Sequence, residues 1–314
     1  MKFRFDLKDK ELVYYENIMA GFDKFERYEF PLLGIEQQDR RHVLSCQLVE
    51  SLRRGRYIKA ISERKACGMR RDPDSTLFDP ERAAVFFRDE GNIEEAFWLV
   101  FLATHFGKHR INGWKTLRFF YYGNGPEHNW TWRNTCNNVV QLKEWLIANH
   151  SRINYGFGNH RKYESLDVAK ENSTFFVIQS YIDWIIGYGN HQAMLDSTRD
   201  VGLSSPEELF HFFYSSLSCV KRFGRLGKFD YLSLLGNLKL VDVKAGSMYL
   251  SNATGPLKGA RLLFENSTLS TIKVSDVDEK SILLDQYIKV GMQPLEDALC
   301  NWQKSPSEFI AFRG

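Results

Sequence analysis

The stretch Ile93 to Phe106 (IEEAFWLVFLATHF) constrains the fold more than any other. After its two glutamates it is apolar on nearly every face. That pattern belongs to a helix enclosed by other elements, not to one lying on a surface. It stops at Gly107, a natural helix terminator, and runs out into Lys108-His109-Arg110. It is too short to cross a bilayer, and no apolar run in the chain reaches the roughly 18 residues a membrane helix needs. His105 lies inside this helix, as a satisfied core histidine or as a group facing a base pocket.

The rest of the chain supplies helices to enclose it. Leu12, Tyr15, Ile18, Met19 and Phe22 recur at helical spacing. A basic helix follows, carrying Arg40, Arg41, Arg53, Arg54, Arg56, Lys59, Arg64 and Lys65, which reads as a solvated face or a phosphate-contacting one. Asp79-Pro80 opens a further helix with proline at its first position. Trp114–Tyr122, Val139–His150, the apolar FFVIQSYIDWII and Phe229–Leu238 are also helical, and Ser205-Pro206-Glu207-Glu208 is a capped helix start. Glu296–Trp302 is helical and is stopped by Gln303 to Pro306. Between Gly123 and Trp132 lies an aromatic, glycine-rich loop. Trp130 and Trp132 flank Thr131 there as a local extended segment that stacks on a base or pins the loop to the core.

Composition sets few further limits. Hydrophobic content of 43% with 26% charged residues is ordinary for a globular protein. The net charge of +3 is small, so any nucleic-acid binding needs a local basic face. The five cysteines are scattered without a C-x-x-C pair, which argues against a zinc site, an iron–sulfur cluster and a disulfide framework. No cofactor and no metal are expected. The absence of a signal-peptide pattern makes a reducing cytoplasm the expected compartment, and a monomer is the expected state.

Three polar stretches carry chemistry. The first is the basic exit at Lys108 and His109. The second is Gly156 to Leu166, where His160, Arg161, Lys162, Tyr163 and Glu164 follow two glycines; it suits a pocket reading a polar substituent, with Glu164 as a second acid/base group. The third is the glycine-punctuated turn holding Arg222, Arg225 and Lys228, a phosphate-contacting candidate.

A fourth stretch runs from Tyr249 to Tyr287. Gly255 can take positive φ in a tight turn, a helix begins near Leu257 with Lys258 in its first turn, and a second helix begins around Ser275-Asp276-Val277-Asp278. Free amides at a helix start bind phosphate, and an aspartate at the next helix mouth keeps its charge there. Asp276 with Glu279 also fits a capping box, so simple capping stays open.

This stretch resembles the hairpin and following aspartate of the helix-hairpin-helix DNA glycosylases, with Gly255, Lys258 and Ala260 at the Gly, Lys and Ala positions and Val277-Asp278 as the V-D pair. Four residues separate Gly255 from Ala260 where that pattern has three, and Asp276 competes with Asp278. A wider resemblance rests on FDPERAAVFFRDEGNIEEAFWLVFLATHFGKHRINGW, FGNHRKYESL, GRLGKFDYLSLLGNL, YLSNATGPLKGARLLF and EDALCNWQKSP. Together they resemble the bacterial and phage family of alpha-glutamyl/putrescinyl thymine pyrophosphorylases, clade 3.

The resemblance implies a mainly α, helix-hairpin-helix DNA glycosylase-like fold, as one domain over residues 1–314 or as two helical lobes, about 1–150 and 151–314, with a cleft between them. It implies a monofunctional DNA glycosylase in phage defence that flips a hypermodified base, such as glucosylated 5-hydroxymethylcytosine, from double-stranded DNA. Asp278 or Asp276 then stabilises the sugar cation or activates water. Lys258 as a nucleophile would add lyase activity, but its place in the hairpin favours phosphate contact. The alternative from the family's name is displacement of pyrophosphate from an activated 5-hydroxymethyluracil by an amine or amino acid. The remaining alternative is a DNA-binding module without catalysis.

Overall fold

The protein is described by a computed structural model covering residues 7–65, 67–125, 127–200 and 202–311. Among these residues there is no β-strand. The helices are α1 (Asp9–Tyr28), α2 (Gln38–Ser62), α3 (Gly68–Arg71), α4 (Pro80–Asp89), α5 (Ile93–Phe106), α6 (Lys115–Tyr122), α7 (Trp132–Asn137) and α8 (Val139–Ile153). They continue with α9 (Thr174–Ile186), α10 (His191–Asp200), α11 (Pro206–Ser216), α12 (Arg225–Asn237), α13 (Gly255–Glu265), α14 (Val274–Ile288) and α15 (Met292–Trp302).

Local signals fix many boundaries. Asp79 accepts a hydrogen bond from the Arg82 amide at 3.2 Å, with Pro80 at the first helical position of α4. Ser205 and Glu208 close a reciprocal capping box on α11. Gly107, at φ 62°, ends α5.

The chain forms two compact units. One comprises Met1–Tyr57 and Ala245–Arg313, the other Ile58–Lys244. Residue 150 lies within α8, inside the second unit.

In the first unit α1 packs on α14, and α13 packs on α15 and on the short 3-10 turn Leu33–Ile35. The α13–α15 crossing is close because of two glycines one turn apart. A Cβ on Gly259 would sit 2.2 Å from the Leu299 carbonyl oxygen, and one on Gly255 would sit 2.6 Å from Cys300 Sγ. The arginines of α2 within this unit are engaged. Arg41 holds Asp23 at 2.6 Å and Glu26 at 2.7 Å, Arg53 and Arg56 share the buried Glu11, Arg54 reaches Asp297, and Arg40 donates to Asn266. The Arg53 hydrogen bond draws the Glu11 pKa down to about 2 against the opposing effect of burial.

In the second unit α5 is enclosed, with every residue from Glu95 to Phe106 buried. Around it lie α4, α6, α7, α10 and α12. Phe101 stacks on Tyr181 with 3.7 Å between ring centroids, and Trp98 stacks on Phe101.

Candidate nucleic-acid interface and anion site

Several sequence candidates come together in the second unit. The loop after α5 and the segment Tyr155–Glu164 are joined by backbone and side chains. Gly158 donates to the Phe106 carbonyl at 2.8 Å. Thr116 both donates to the Gly156 carbonyl (2.8 Å) and accepts from the Tyr155 amide (3.0 Å). His109 packs on Gly156, whose φ of 95° and missing side chain leave room for the imidazole. Its Nδ1 accepts from the amides of Ile111 (3.3 Å) and Asn112 (3.0 Å), so His109 holds a turn together rather than facing solvent. Lys108 is exposed, its ammonium 5.9 Å from the Trp114 ring centroid.

Arg161 is the centre of the next cluster. Its side chain is buried, and its Nε donates to the Thr104 carbonyl at 3.0 Å. The guanidinium lies over Phe223 and against the first turn of α12. A Cβ on Gly227 would come within 3.2 Å of both Nη atoms, so the missing side chain gives the guanidinium room to lie close to the helix. Among the described residues Nη2 is buried without a hydrogen-bond partner; Asp230 Oδ2 pairs with it electrostatically at 3.8 Å, beyond hydrogen-bond length. No side chain among the described residues caps the start of α12. Burial lowers the pKa of Arg161 from its ordinary value, opposed by Asp230 and Glu164.

Beside it, Arg222 grips Glu164 with Nε (3.2 Å to each oxygen) and Nη2 (3.0 Å). The Glu164 carboxylate expected as an acid/base group is thus committed to a bidentate ion pair. Lys228 donates to Ser218 at 3.0 Å and lies 4.2 Å from the Tyr214 ring centroid, and desolvation lowers its pKa. Arg225 lies over Phe229 at 5.0 Å. His160, Lys162 and Tyr163 are exposed, with Lys162 over the Tyr163 ring.

His105 is fully enclosed. Its Nε2 is 3.0 Å from Thr174 Oγ1, and the ring stacks on Phe101. Burial, reinforced by the charges of Arg161 and Arg222, pushes its pKa down to about 3. The core reading therefore accounts for it. Of the two readings of Trp130 and Trp132, stacking on a base or pinning the loop to the core, the packing matches the second. Both are buried, Trp132 opens α7 instead of lying in an extended segment, and its ring packs edge-on against His191 while Trp130 packs on Trp145. Neither ring face is open to stack on a base.

The first unit holds the remaining candidates. Gly255 is the first residue of α13 and its φ is not positive; its role is the close approach to Cys300. Lys258 is exposed in the next turn. The two aspartates separate. Asp276 is exposed in the first turn of α14 and accepts from Ser275 Oγ at 2.9 Å. Asp278 is half-buried, and its Oδ2 accepts from the Leu250 amide at 3.1 Å.

Sequence reasoning missed a buried polar chain in the second unit. Glu94 Oε2 lies 2.6 Å from His191 Nδ1, His191 Nε2 2.8 Å from the Tyr181 hydroxyl, and that hydroxyl 2.9 Å from the Tyr231 hydroxyl. The only local hint was a Glu at the mouth of an apolar helix. Next to it, Glu95 accepts from Tyr121 (2.5 Å) and the Trp132 amide (2.9 Å), while burial raises its pKa to about 7. Tyr121 also lines a cavity of about 380 Å³ with Arg71, Asp72 and Asn129. Among the described residues no group of three or more His, Cys, Asp or Glu is placed to hold a metal ion, and no helix is long and apolar enough to cross a membrane.

The family described as alpha-glutamyl/putrescinyl thymine pyrophosphorylase clade 3 matches residues 39–314. The chain belongs to that family. Comparison with curated proteins and with solved structures found no match. In this clade 3 member the matched region includes both the Arg161 cluster and Asp278.

Proposed function

We propose that this clade 3 protein is an enzyme acting on a modified pyrimidine in DNA, and that it displaces pyrophosphate from an activated 5-hydroxymethyluracil. An amine or amino acid supplies the nucleophile. Its nitrogen forms a bond to the 5-methylene carbon, the carbon–oxygen bond to pyrophosphate breaks, the electron pair leaves with the pyrophosphate, and the nitrogen gives up a proton. The observation that carries this reading is the Arg161 guanidinium, buried against the uncapped start of α12 with Nη2 lacking a hydrogen-bond partner among the described residues. A buried cationic donor at a helix N-terminus suits a group that gains charge as it departs. Arg222, fixed by Glu164, adds a second guanidinium to the same cluster. The family's name points to the same chemistry.

Base excision remains the second reading, and Asp278 favours it. This carboxylate sits one turn into α14 and is oriented by the Leu250 amide, as a group stabilising an oxocarbenium-like sugar needs to be.

The test is a panel of duplexes carrying thymine, 5-hydroxymethyluracil, pyrophosphorylated 5-hydroxymethyluracil, 5-hydroxymethylcytosine or its glucoside, each with and without putrescine or glutamate. Pyrophosphate released from the activated uracil, only with an amine present and lost in Arg161→Gln, supports displacement. Free base and alkali-labile sites, lost in Asp278→Asn, overturn it in favour of excision.

A further inference from the structure

We infer that Ile111 is a wedge that enters a base step when the protein binds duplex DNA; this rests on the reading of the protein as one acting on DNA. Ile111 is the most exposed large apolar side chain among the described residues, at 85%. An isolated isoleucine at the surface needs no explanation in itself. Its setting does.

Ile111 stands at the tip of a turn closed by two backbone hydrogen bonds between His109 and Gly113, at 3.0 and 2.8 Å. The turn is braced from inside by His109 Nδ1, which accepts from the Ile111 and Asn112 amides. It is braced from the side by Asn112, whose amide donates to the Tyr155 carbonyl at 2.6 Å. The isoleucine is therefore held out on a constrained loop, and the entropy of ordering that loop is lost on folding rather than on binding.

Charge identifies the occupant. Between Gly107 and Tyr122 there is no Asp or Glu, while Lys108, Arg110 and Lys115 flank the tip; Arg118 is turned to the Asp74 carbonyl, and Glu81 of α4 interacts electrostatically with Lys108. Lys108 and Arg110 are exposed, and Lys115 sits 3.8 Å from the Tyr155 ring centroid on the adjoining segment. Leu269, nearly as exposed at 81%, lies in the loop Asn266 to Lys273 and has no charged residue within three positions on either side, whereas Arg110 adjoins Ile111 directly. An apolar side chain on a constrained tip, between the exposed Lys108 and Arg110 on one side and Lys115 on the other, fits a polyanion with an apolar interior that can be opened at a step. Duplex DNA has that character, and proteins that kink it insert Ile, Leu, Met or Phe in this way. The cations hold the phosphates on either side, and the isoleucine replaces one stacking contact as a base is unstacked.

The experiment uses the full chain and a short duplex with 2-aminopurine beside a central 5-hydroxymethyluracil. Affinity is read by anisotropy and unstacking by 2-aminopurine fluorescence at saturation. The wild type is expected to raise the fluorescence severalfold. Ile111→Ala should keep affinity within about threefold at low salt, because phosphate contacts dominate it, and lose most of the fluorescence rise. Arg110→Ala should do the reverse, weakening binding while the saturated complex stays bright. A saturated Ile111→Ala complex as bright as the wild type, or a wild-type complex that binds without brightening, overturns the wedge and leaves the DNA reading standing. A wild type that does not bind the duplex overturns both.

Discussion

The Asp278 carboxylate accepts a hydrogen bond from the Leu250 amide at 3.1 Å, tying α14 to the segment that leads into α13. Asp276, two residues earlier and exposed, accepts from its neighbour Ser275 instead. Asp278→Ala should therefore destabilise the protein by about 1–2 kcal/mol, a charge-assisted bond discounted for partial exposure, while Asp276→Ala should cost less than about 0.5 kcal/mol. Urea unfolding of both variants checks this. Equal effects would show that the Leu250 contact does not hold in solution.

Gly255 and Gly259 separate in the same way. Gly259→Ala drives a methyl into the Leu299 carbonyl, which belongs to the backbone and cannot turn aside; Gly255→Ala meets the Cys300 sulfur, which can rotate. Losses of about 3 and 1 kcal/mol are expected, in that order, by thermal or urea unfolding. DNA affinity of a folded Gly255→Ala protein should match the wild type, because the missing side chain of Gly255 faces Cys300 rather than a ligand.

Glu95 makes stability fall as pH rises. Burial raises its folded pKa from the carboxylate value of 4.5 to about 7, so the folded state binds more protons than the unfolded state between those values. Stability from this group is full below the unfolded pKa and declines through about pH 7, by on the order of 3 kcal/mol at most. Glu95→Gln should remove that decline in urea midpoints measured from pH 4.5 to 8. A wild-type slope unchanged by the substitution would show that the carboxyl is not buried.

His105 acts with the opposite sign. Its folded pKa is depressed to about 3, from 6.5, chiefly by burial, so the unfolded state takes up the proton first as the pH drops. Stability is lost as pH falls from 6.5 towards 3. His105→Gln, which can still bond Thr174, should resist acid better relative to its own stability at pH 7.5. A steeper acid loss in the variant would contradict the neutral, buried imidazole.

The helices were legible because their signals are local. The apolar run Ile93–Phe106 became α5 with those bounds, and the caps at Asp79 and Ser205 lie within three residues of their partners. The grouping of Arg161 with Arg222 and Glu164 was only half legible: the polar types stood out in each segment, but nothing local joins residue 164 to residue 222. Sequence leaves Trp130 and Trp132 between stacking and core pinning because exposure is set by what packs over a loop, and Trp98 and Trp145 do so here. Gly255 has the same lesson. Its need for glycine comes from Cys300, distant in sequence, and not from its own φ. The chain from Glu94 through His191 and Tyr181 to Tyr231 joins four segments and leaves no periodic trace.

The most direct test of displacement is the mass of the nucleoside left in the DNA. A duplex with pyrophosphorylated 5-hydroxymethyluracil is incubated with the protein and ¹⁵N-labelled putrescine or glutamate, digested to nucleosides, and analysed by mass spectrometry. A nucleoside heavier by the amine, carrying its ¹⁵N and matched by one pyrophosphate released, is the expected result, and it should vanish in Arg161→Gln. Loss of the base with the sugar left abasic, and no labelled nucleoside, would contradict displacement and assign the chemistry to excision by Asp278.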